Sequence, residues 1–217
     1  VWAAIRDFDG GIGSNDESLQ LLSYSSRREN LINQLIGAMM QVGIDGINVD
    51  FEKISKDCGV HYIQFIRELS VKCRQNGIVL SVDNYVPKGY NQQYNRKEQG
   101  VMADYVIIMG YDEHNGSSLE AGSVSSYEFV KEGIEETIKE VPAEKVISGI
   151  PFFTRLWSET PKTQEELNQE AGTEAADYPM KVTSEALGMS TARDKISQAG
   201  AETTLDETTG NNYATWE

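Results

Sequence analysis

The sequence predicts an α/β protein built on a parallel sheet, and three observations carry that expectation. Short apolar strands alternate along the chain with longer stretches of helical spacing. The strands at 78–82 and 105–109 are nearly continuous apolar runs, as expected of strands covered on both faces. One strand, Gly46-Ile47-Asn48-Val49-Asp50-Phe51-Glu52, instead alternates with period two, sending Asn48, Asp50 and Glu52 to one face and Ile47, Val49 and Phe51 to the other. Enclosed polar side chains cost several kcal/mol each when unpartnered, so this row is expected to meet its own members, water or a substrate. Glu52 is therefore the candidate chemical centre. The plainer reading is a strand whose acidic end faces solvent.

The elements follow in order. Residues 1–5 read as a strand, and the Gly/Ser/Asn/Asp-rich run from Asp9 to Ser18 as a long loop. A helix is expected from Ser25 or Ser26, with Glu29 completing a capping box, an apolar stripe of Leu31, Ile32, Leu35, Ile36 and Met39, and an end near Gly43. After the acidic strand, Tyr62, Phe65, Ile66, Leu69 and Cys73 recur at helical spacing up to the stop signal Asn76-Gly77. The strand 78–82 leads into a loop rich in Tyr, Asn and Gln from Asn84 to about Arg96. A strand at 105–109, a helix at 127–140 and a strand at 145–150 complete the βα series. Repeated units of this kind imply a parallel sheet, open or closed into a barrel. Beyond Phe152 the character changes: residues 160–176 are acidic and polar, 184–199 look helical with Leu187, Ala192 and Ile196 inward, and Glu-Thr-Thr-Gly-Asn-Asn forms a turn between short strands.

Composition narrows the class of partner. At 217 residues and 39% hydrophobic content, the chain is long enough for one domain with a sizeable core. A net charge of -15 repels polyanions and argues against nucleic acid or an anionic membrane surface, in favour of a neutral or cationic substrate. No apolar run is long enough for a membrane span, and residues 1–5 lack the layout of a secretion signal, so the protein is expected to be cytosolic or to have lost its targeting segment. Cys58 and Cys73 have neither redox nor metal spacing and read as isolated packing thiols, with a disulfide between them left open.

Polar groups gather where strands end. Asp83, Asn84 and Tyr85 follow Val82; Tyr111, Asp112, Glu113 and His114 follow Met109; Phe152, Phe153, Arg155 and Trp157 follow Ile150. In parallel α/β folds the carboxyl ends of the strands hold the active site, so these groups are expected to converge with Glu52. Aromatic faces stack on sugar rings, while carboxylates and amides bind hydroxyl and acetamido groups. An ordinary loop histidine and a core tryptophan are equally simple readings of His114 and Trp157.

The segment Asp45-Gly46-Ile47-Asn48-Val49-Asp50-Phe51-Glu52 resembles the Asp-Gly-x-Asp-x-Asp-x-Glu signature of glycoside hydrolase family 18, the chitinase-like (β/α)8 TIM barrels. Met109-Gly110-Tyr111-Asp112 is similar to the family's Met-x-Tyr-Asp strand end, and residues 149–157 to its next strand. The Asp112-Glu113-His114 continuation and Leu80-Ser81-Val82-Asp83-Asn84-Tyr85 resemble the bacterial sporulation and germination branch, which acts on spore-cortex peptidoglycan. The resemblance covers essentially the whole chain. It implies a single catalytic domain over 1–217 forming a partial barrel, strands three to seven, with an α+β insertion over about 155–217. Two open sheet edges would then favour self-association of such a truncated form.

The resemblance also implies a mechanism. Family members hydrolyse β-linked N-acetylglucosamine glycans, peptidoglycan or chitin-like, with retention and by substrate assistance: the 2-acetamido oxygen attacks the anomeric carbon. Glu52 would be the general acid and base, its burial beside Asp50 keeping a proton available near neutral pH. Asp50 would orient the acetamido N–H, and Tyr111 would hold its carbonyl. Asn48, where most chitinases have the middle aspartate, would hydrogen-bond Asp50 without adding charge. Met109, Asp112, Asp83, Asn84, Tyr85, His114, Arg155 and Trp157 would complete the substrate pocket, with no metal or cofactor. The implied location is extracellular, in the cell wall or on the spore. Two rivals stand beside this reading: a non-catalytic, lectin-like amino-sugar barrel, and a metal enzyme using Asp45, Asp50 and Glu52 as oxygen ligands.

Overall fold

The computed structural model describes residues 1–7 and 15–217. The chain divides into two compact units, Val1–Met109 with Glu132–Ser148, and Gly110–Lys131 with Gly149–Glu217.

The first unit contains the sheet. Its strands are β1 (Trp2–Arg6), β2 (Gly46–Asp50), β3 (Val79–Tyr85), β4 (Tyr105–Met109) and β5 (Val146–Gly149), and their spatial order is their sequence order. β1, β2, β3 and β4 pair in parallel. An unbroken order means that each crossover advances in the same direction, as in a barrel wall, whereas a doubly wound sheet reverses at a switch point. The helices α1 (Asn15–Leu22), α2 (Ser25–Val42), α3 (Gly59–Gln75), α4 (Arg96–Met102) and α5 (Tyr127–Ile138) lie in the connections. The loop expected from Asp9 to Ser18 falls largely outside the described residues, and its last four residues already belong to α1.

One face of the sheet makes the core. Ile47, Val49, Leu80, Val82, Val106 and Ile108 are buried, and Ile32, Ile36 and Met39 of α2 with Tyr62, Phe65, Ile66, Leu69 and Cys73 of α3 bury their expected apolar stripes. The left-handed Gly43 (φ 72°) ends α2 by donating its N–H to the Met39 carbonyl. The expected capping box at Ser25 or Ser26 does not form. The helix starts one residue early, so Tyr24 is the N-cap and has no side-chain cap bond. Arg28 is buried instead, donating to both Glu68 oxygens at 2.9 and 3.0 Å and to the Leu22 carbonyl at 2.7 Å, and so tying α1, α2 and α3 together. This guanidinium holds the Glu68 carboxyl below its usual range. Asn84 and Tyr85, read from sequence as loop, extend β3, and Asn84 faces the helix layer, where it exchanges amide bonds with Gln99 of α4.

The opposite face is filled at its amino-terminal end by an aromatic pair. Trp2 crosses Gly46 and stacks on Tyr105 with centroids 5.5 Å apart. Gly46 is required there, because a Cβ would lie 2.5 Å from the indole. Cys58 and Cys73 are buried free thiols pushed up by desolvation to about 11 and about 12. They sit at the two ends of α3, about 22 Å of helix apart, far too distant to bridge.

In the second unit, β6 (Phe153–Pro161) and β7 (Met180–Gly188) form a long antiparallel ribbon, paired from Phe153 with Gly188 to Pro161 with Met180. Between them α6 (Gln164–Gln169) carries a capping box of Thr163 and Glu166. The helix expected from Ser184 begins later, as α7 (Met189–Ala199). Residues 184–188 pair with β6 instead, and Leu187 is buried from a strand, because nine cross-strand partners outweigh local helical spacing. β8 (Thr204–Asp206) and β9 (Asn211–Tyr213) form the expected turn-linked pair.

Gly46→Ala is expected to displace Trp2 and destabilise the protein by about 1–3 kcal/mol, as overpacking of a filled site does. Urea denaturation checks this, and the penalty should shrink in a Trp2→Val background because the clashing ring is gone.

Candidate active site

The alternation read from β2 holds, and register decides what its polar row meets. Arg6 pairs with Asp50, Asn48 with Ser81, and Tyr85 with Met109, so the polar row, Asp83, Tyr85 and Met109 share one face at the carboxyl ends of the strands. Asn48 donates through Nδ2 to Ser81 Oγ and to Asp83 Oδ1, both at 2.9 Å. The bond expected from Asn48 to Asp50 is not formed. Residues two apart on a strand are about 7 Å apart, whereas a cross-strand neighbour is about 5 Å away. Asp50 Oδ1 is buried without a hydrogen-bond partner among the described residues. Desolvation, then the charges of Asp83 and Glu52, push the Asp50 carboxyl up to about 6, with Arg6 opposing. Burial likewise raises Asp83, against the Asn48 bond that favours its charged form.

Glu52 is held at both ends. Its side chain accepts from the Tyr85 hydroxyl at 2.5 Å, and its backbone N–H donates to Asp7 Oδ1 at 2.9 Å. Asp7 Oδ2 accepts from the next amide, Lys53, at 2.7 Å, and from Ser18 Oγ at 3.2 Å. Sequence reasoning missed Asp7. The available signal was its position directly after the first strand, at the rim where a neighbouring carboxyl end must lie. Burial and the Glu52 bond raise the Tyr85 hydroxyl well above its ordinary value. Tyr94 meets Tyr85 edge-on at 6.1 Å and Tyr62 at 5.7 Å, and Tyr62 and Phe65 stack on Phe51, so aromatic rings connect the helix-facing core to the hydroxyl that holds Glu52.

Asn84 is the exception among the rim candidates. Period two turns it away from Asp83 and Tyr85, and at 1% exposure it is committed to Gln99 and the Val82 carbonyl. The metal arrangement is also not assembled, because Asp45 precedes β2, at the end opposite to Asp50. Among the described residues no group of three or more His, Cys, Asp and Glu side chains is arranged to hold a metal ion.

The second unit carries the other candidates. Tyr111 packs edge-on against Phe153 at 6.0 Å. Asp112 is left-handed (φ 59°) and accepts from Arg155 Nη2 at 3.3 Å, while Arg155 Nη1 donates to Ser184 Oγ at 3.2 Å. Arg155 and Trp157 lie within β6 and not in a loop after a strand, and the Trp157 indole donates to the Gly122 carbonyl at 3.0 Å. His114 lies against Gly122 with Nδ1 2.8 Å from the Ser123 carbonyl, and Glu113 accepts from the amide and hydroxyl of Ser126 at the start of α5.

Parallel strands in unbroken order, with polar side chains gathered at their carboxyl ends, have the arrangement of a barrel wall. The family description of Glycosyl hydrolases family 18 matches residues 10–217, and the chain belongs to that family. It is 32% identical over 162 residues to the uncharacterized glycosylase YvbX of Bacillus subtilis, covering 71% of this chain and 45% of that protein. In fold it is similar to the spore cortex-lytic enzyme SleL of Bacillus megaterium, with a TM-score of 0.78 at 18% identity over 97% of this chain and 46% of that one. It is also similar to a chitinase from Chromobacterium violaceum, with a TM-score of 0.80 at 21% identity over 98% of this chain and 62% of that one. The chain thus spans less than half the length of YvbX and of SleL.

Because the folded value of Asp50 is raised, its contribution to stability is full below about 4 and is lost as pH rises through about 6. Asp50→Asn should therefore raise the melting temperature at pH 7 and change it little at pH 4, as calorimetry at the two pH values checks. Asp7→Ala leaves two backbone N–H groups without their acceptor, and is expected to lower stability by about 1–3 kcal/mol in urea denaturation.

Proposed function

We propose that the protein is a retaining glycoside hydrolase of β-linked N-acetylglucosamine glycans, spore-cortex peptidoglycan or a chitin-like polymer, acting by substrate assistance. The observation that carries this reading is the doubly held Glu52, fixed by Tyr85 and Asp7 beside a carboxyl that retains its proton into the weakly acidic range. In the first step Glu52 protonates the leaving oxygen, the glycosidic C–O bond breaks, and the acetamido oxygen closes on the anomeric carbon. Asp50 orients the acetamido N–H and balances the positive charge of the oxazolinium ion, and Tyr111 holds the acetamido carbonyl. In the second step Glu52 takes a proton from water, which opens the ring with net retention. Asn48, Asp83 and Tyr85 support the acidic row, while Met109, Asp112, His114, Arg155 and Trp157 shape the glycan path by analogy with the family motifs. The cortex-lytic and chitinase relatives favour amino-sugar polymers as substrates. The five strands correspond in this reading to strands three to seven of the family barrel, with residues 155–217 as the α+β insertion, and the site of action is the cell wall or spore.

Glu52→Gln is expected to lower hydrolysis of a chitooligosaccharide or cortex muropeptide by about 100- to 10,000-fold, the usual contribution of a general acid. Binding by calorimetry should change little, since the amide keeps shape and hydrogen bonding. Turnover within tenfold of the parent would reject Glu52 as the acid, and a parent that binds but never cleaves would favour the lectin-like reading. Cleavage of matched glucosides lacking the acetamido group at the parent rate would exclude substrate assistance.

A further inference from the structure

The β2 row begins with an amide, Asn48, yet the charge density around Asp50 is not that of a row with one carboxylate removed. Asp83 comes from the neighbouring strand, one step above the Asn48–Ser81 pair, and its Oδ1 lies 2.9 Å from Asn48 Nδ2. Both protons of that amide are committed, one to Ser81 and one to Asp83, so the Asp83 carboxylate is held in one orientation. We propose that Asp83 is a positioning residue for the hydrolytic centre, a carboxylate supplied across the strand by β3 in place of one on β2 and locked by Asn48 so that its charge governs Asp50.

The inference rests on the hydrolase reading above for its consequence and on geometry for its substance. Asp83 shares its sheet face with Asp50 on β2 and with Arg6 on β1, and its β4 partner is the apolar Ile107. Glu52 and Asp7 follow the ends of β2 and β1, Tyr85 lies on Asp83's own strand, and Tyr94 and Tyr62 stand behind it. Two partly desolvated carboxylates in such a group resist simultaneous ionisation. Among the described residues, Asp50 has a buried oxygen with no hydrogen bond to favour its charged form, whereas Asp83 has the Asn48 amide. The asymmetry favours the proton on Asp50 over Asp83, although burial raises Asp83 too; burial first, then Asp83, then Glu52 raise Asp50. An orienting acid beside the sugar then changes charge in response to a carboxylate on the neighbouring strand.

The decisive measurement is the carboxyl carbon titration of Asp50 by NMR on the isotopically labelled protein, which needs no substrate. Asp83→Asn keeps the acceptor for Asn48 and removes the charge, so the Asp50 midpoint should fall by about one pH unit. Adding Asn48→Asp to that variant should return the midpoint toward the parent value. If Asp83→Asn does not fold, Asn48→Asp alone serves, with the midpoint expected to rise. An Asp50 midpoint unmoved in these variants overturns the proposal. With activity present, the acidic limb of kcat/KM should move with the midpoint, and a folded Asp83→Asn protein with the parent's pH profile would equally overturn it. An inactive parent with a coupled titration would instead reject the hydrolase reading and leave the charge coupling standing.

Discussion

The acidic end of the first unit depends on the register between β1, β2 and β3. Pairing Arg6 with Asp50 brings the next residue, Asp7, alongside the amides of Glu52 and Lys53, and pairing Asn48 with Ser81 sets Asp83 within reach of the Asn48 amide. A slip of one residue would turn every side chain of the moved strand to the other face, putting carboxylates among Ile32, Leu69 and Phe65. That penalty is what fixes the register. The apolar face, which takes no part in chemistry, thus determines the geometry of the polar one.

The polar face gives up stability to keep its charges close. A carboxyl raised by desolvation and like charge, and a buried oxygen without a hydrogen bond among the described residues, are features that folding alone would remove. Their neighbours limit the cost: Asp7 spends both oxygens on backbone amides, Asn48 spends both amide protons on β3, and a run of aromatic rings leads from Phe51 to the Tyr85 hydroxyl. The result is a set of hydrogen bonds and ring contacts that fixes the Glu52 side chain and backbone together.

The strands of the sheet were legible because burial on both faces leaves an unambiguous apolar run, as at 105–109, and β2 because strict alternation has no other explanation. The eight-residue signature made the family legible as well. What escaped was set by partners distant in sequence. Residues 184–188 have helical spacing but lie opposite β6, and Asn84 sits among rim residues yet points the other way by period two. Asp7 carries no local pattern, since its role is defined by two amides about 45 residues away. The capping box failed for a local reason, a helix that starts at Ser25 and not after it.

The hold of Asp7 on the Glu52 amide ties the residue that follows β2 to the residue that follows β1. Alternate residues of β1 are solvent exposed, and a strand with that little burial opens more readily than the buried β2 and β3. Fraying of β1 withdraws Asp7 and frees the backbone beneath Glu52 while the central strands stay closed. The backbone that carries Glu52 and the core between the sheet and α3 therefore differ in local stability: on warming, the hold of Asp7 is expected to be lost through a local opening before that core melts.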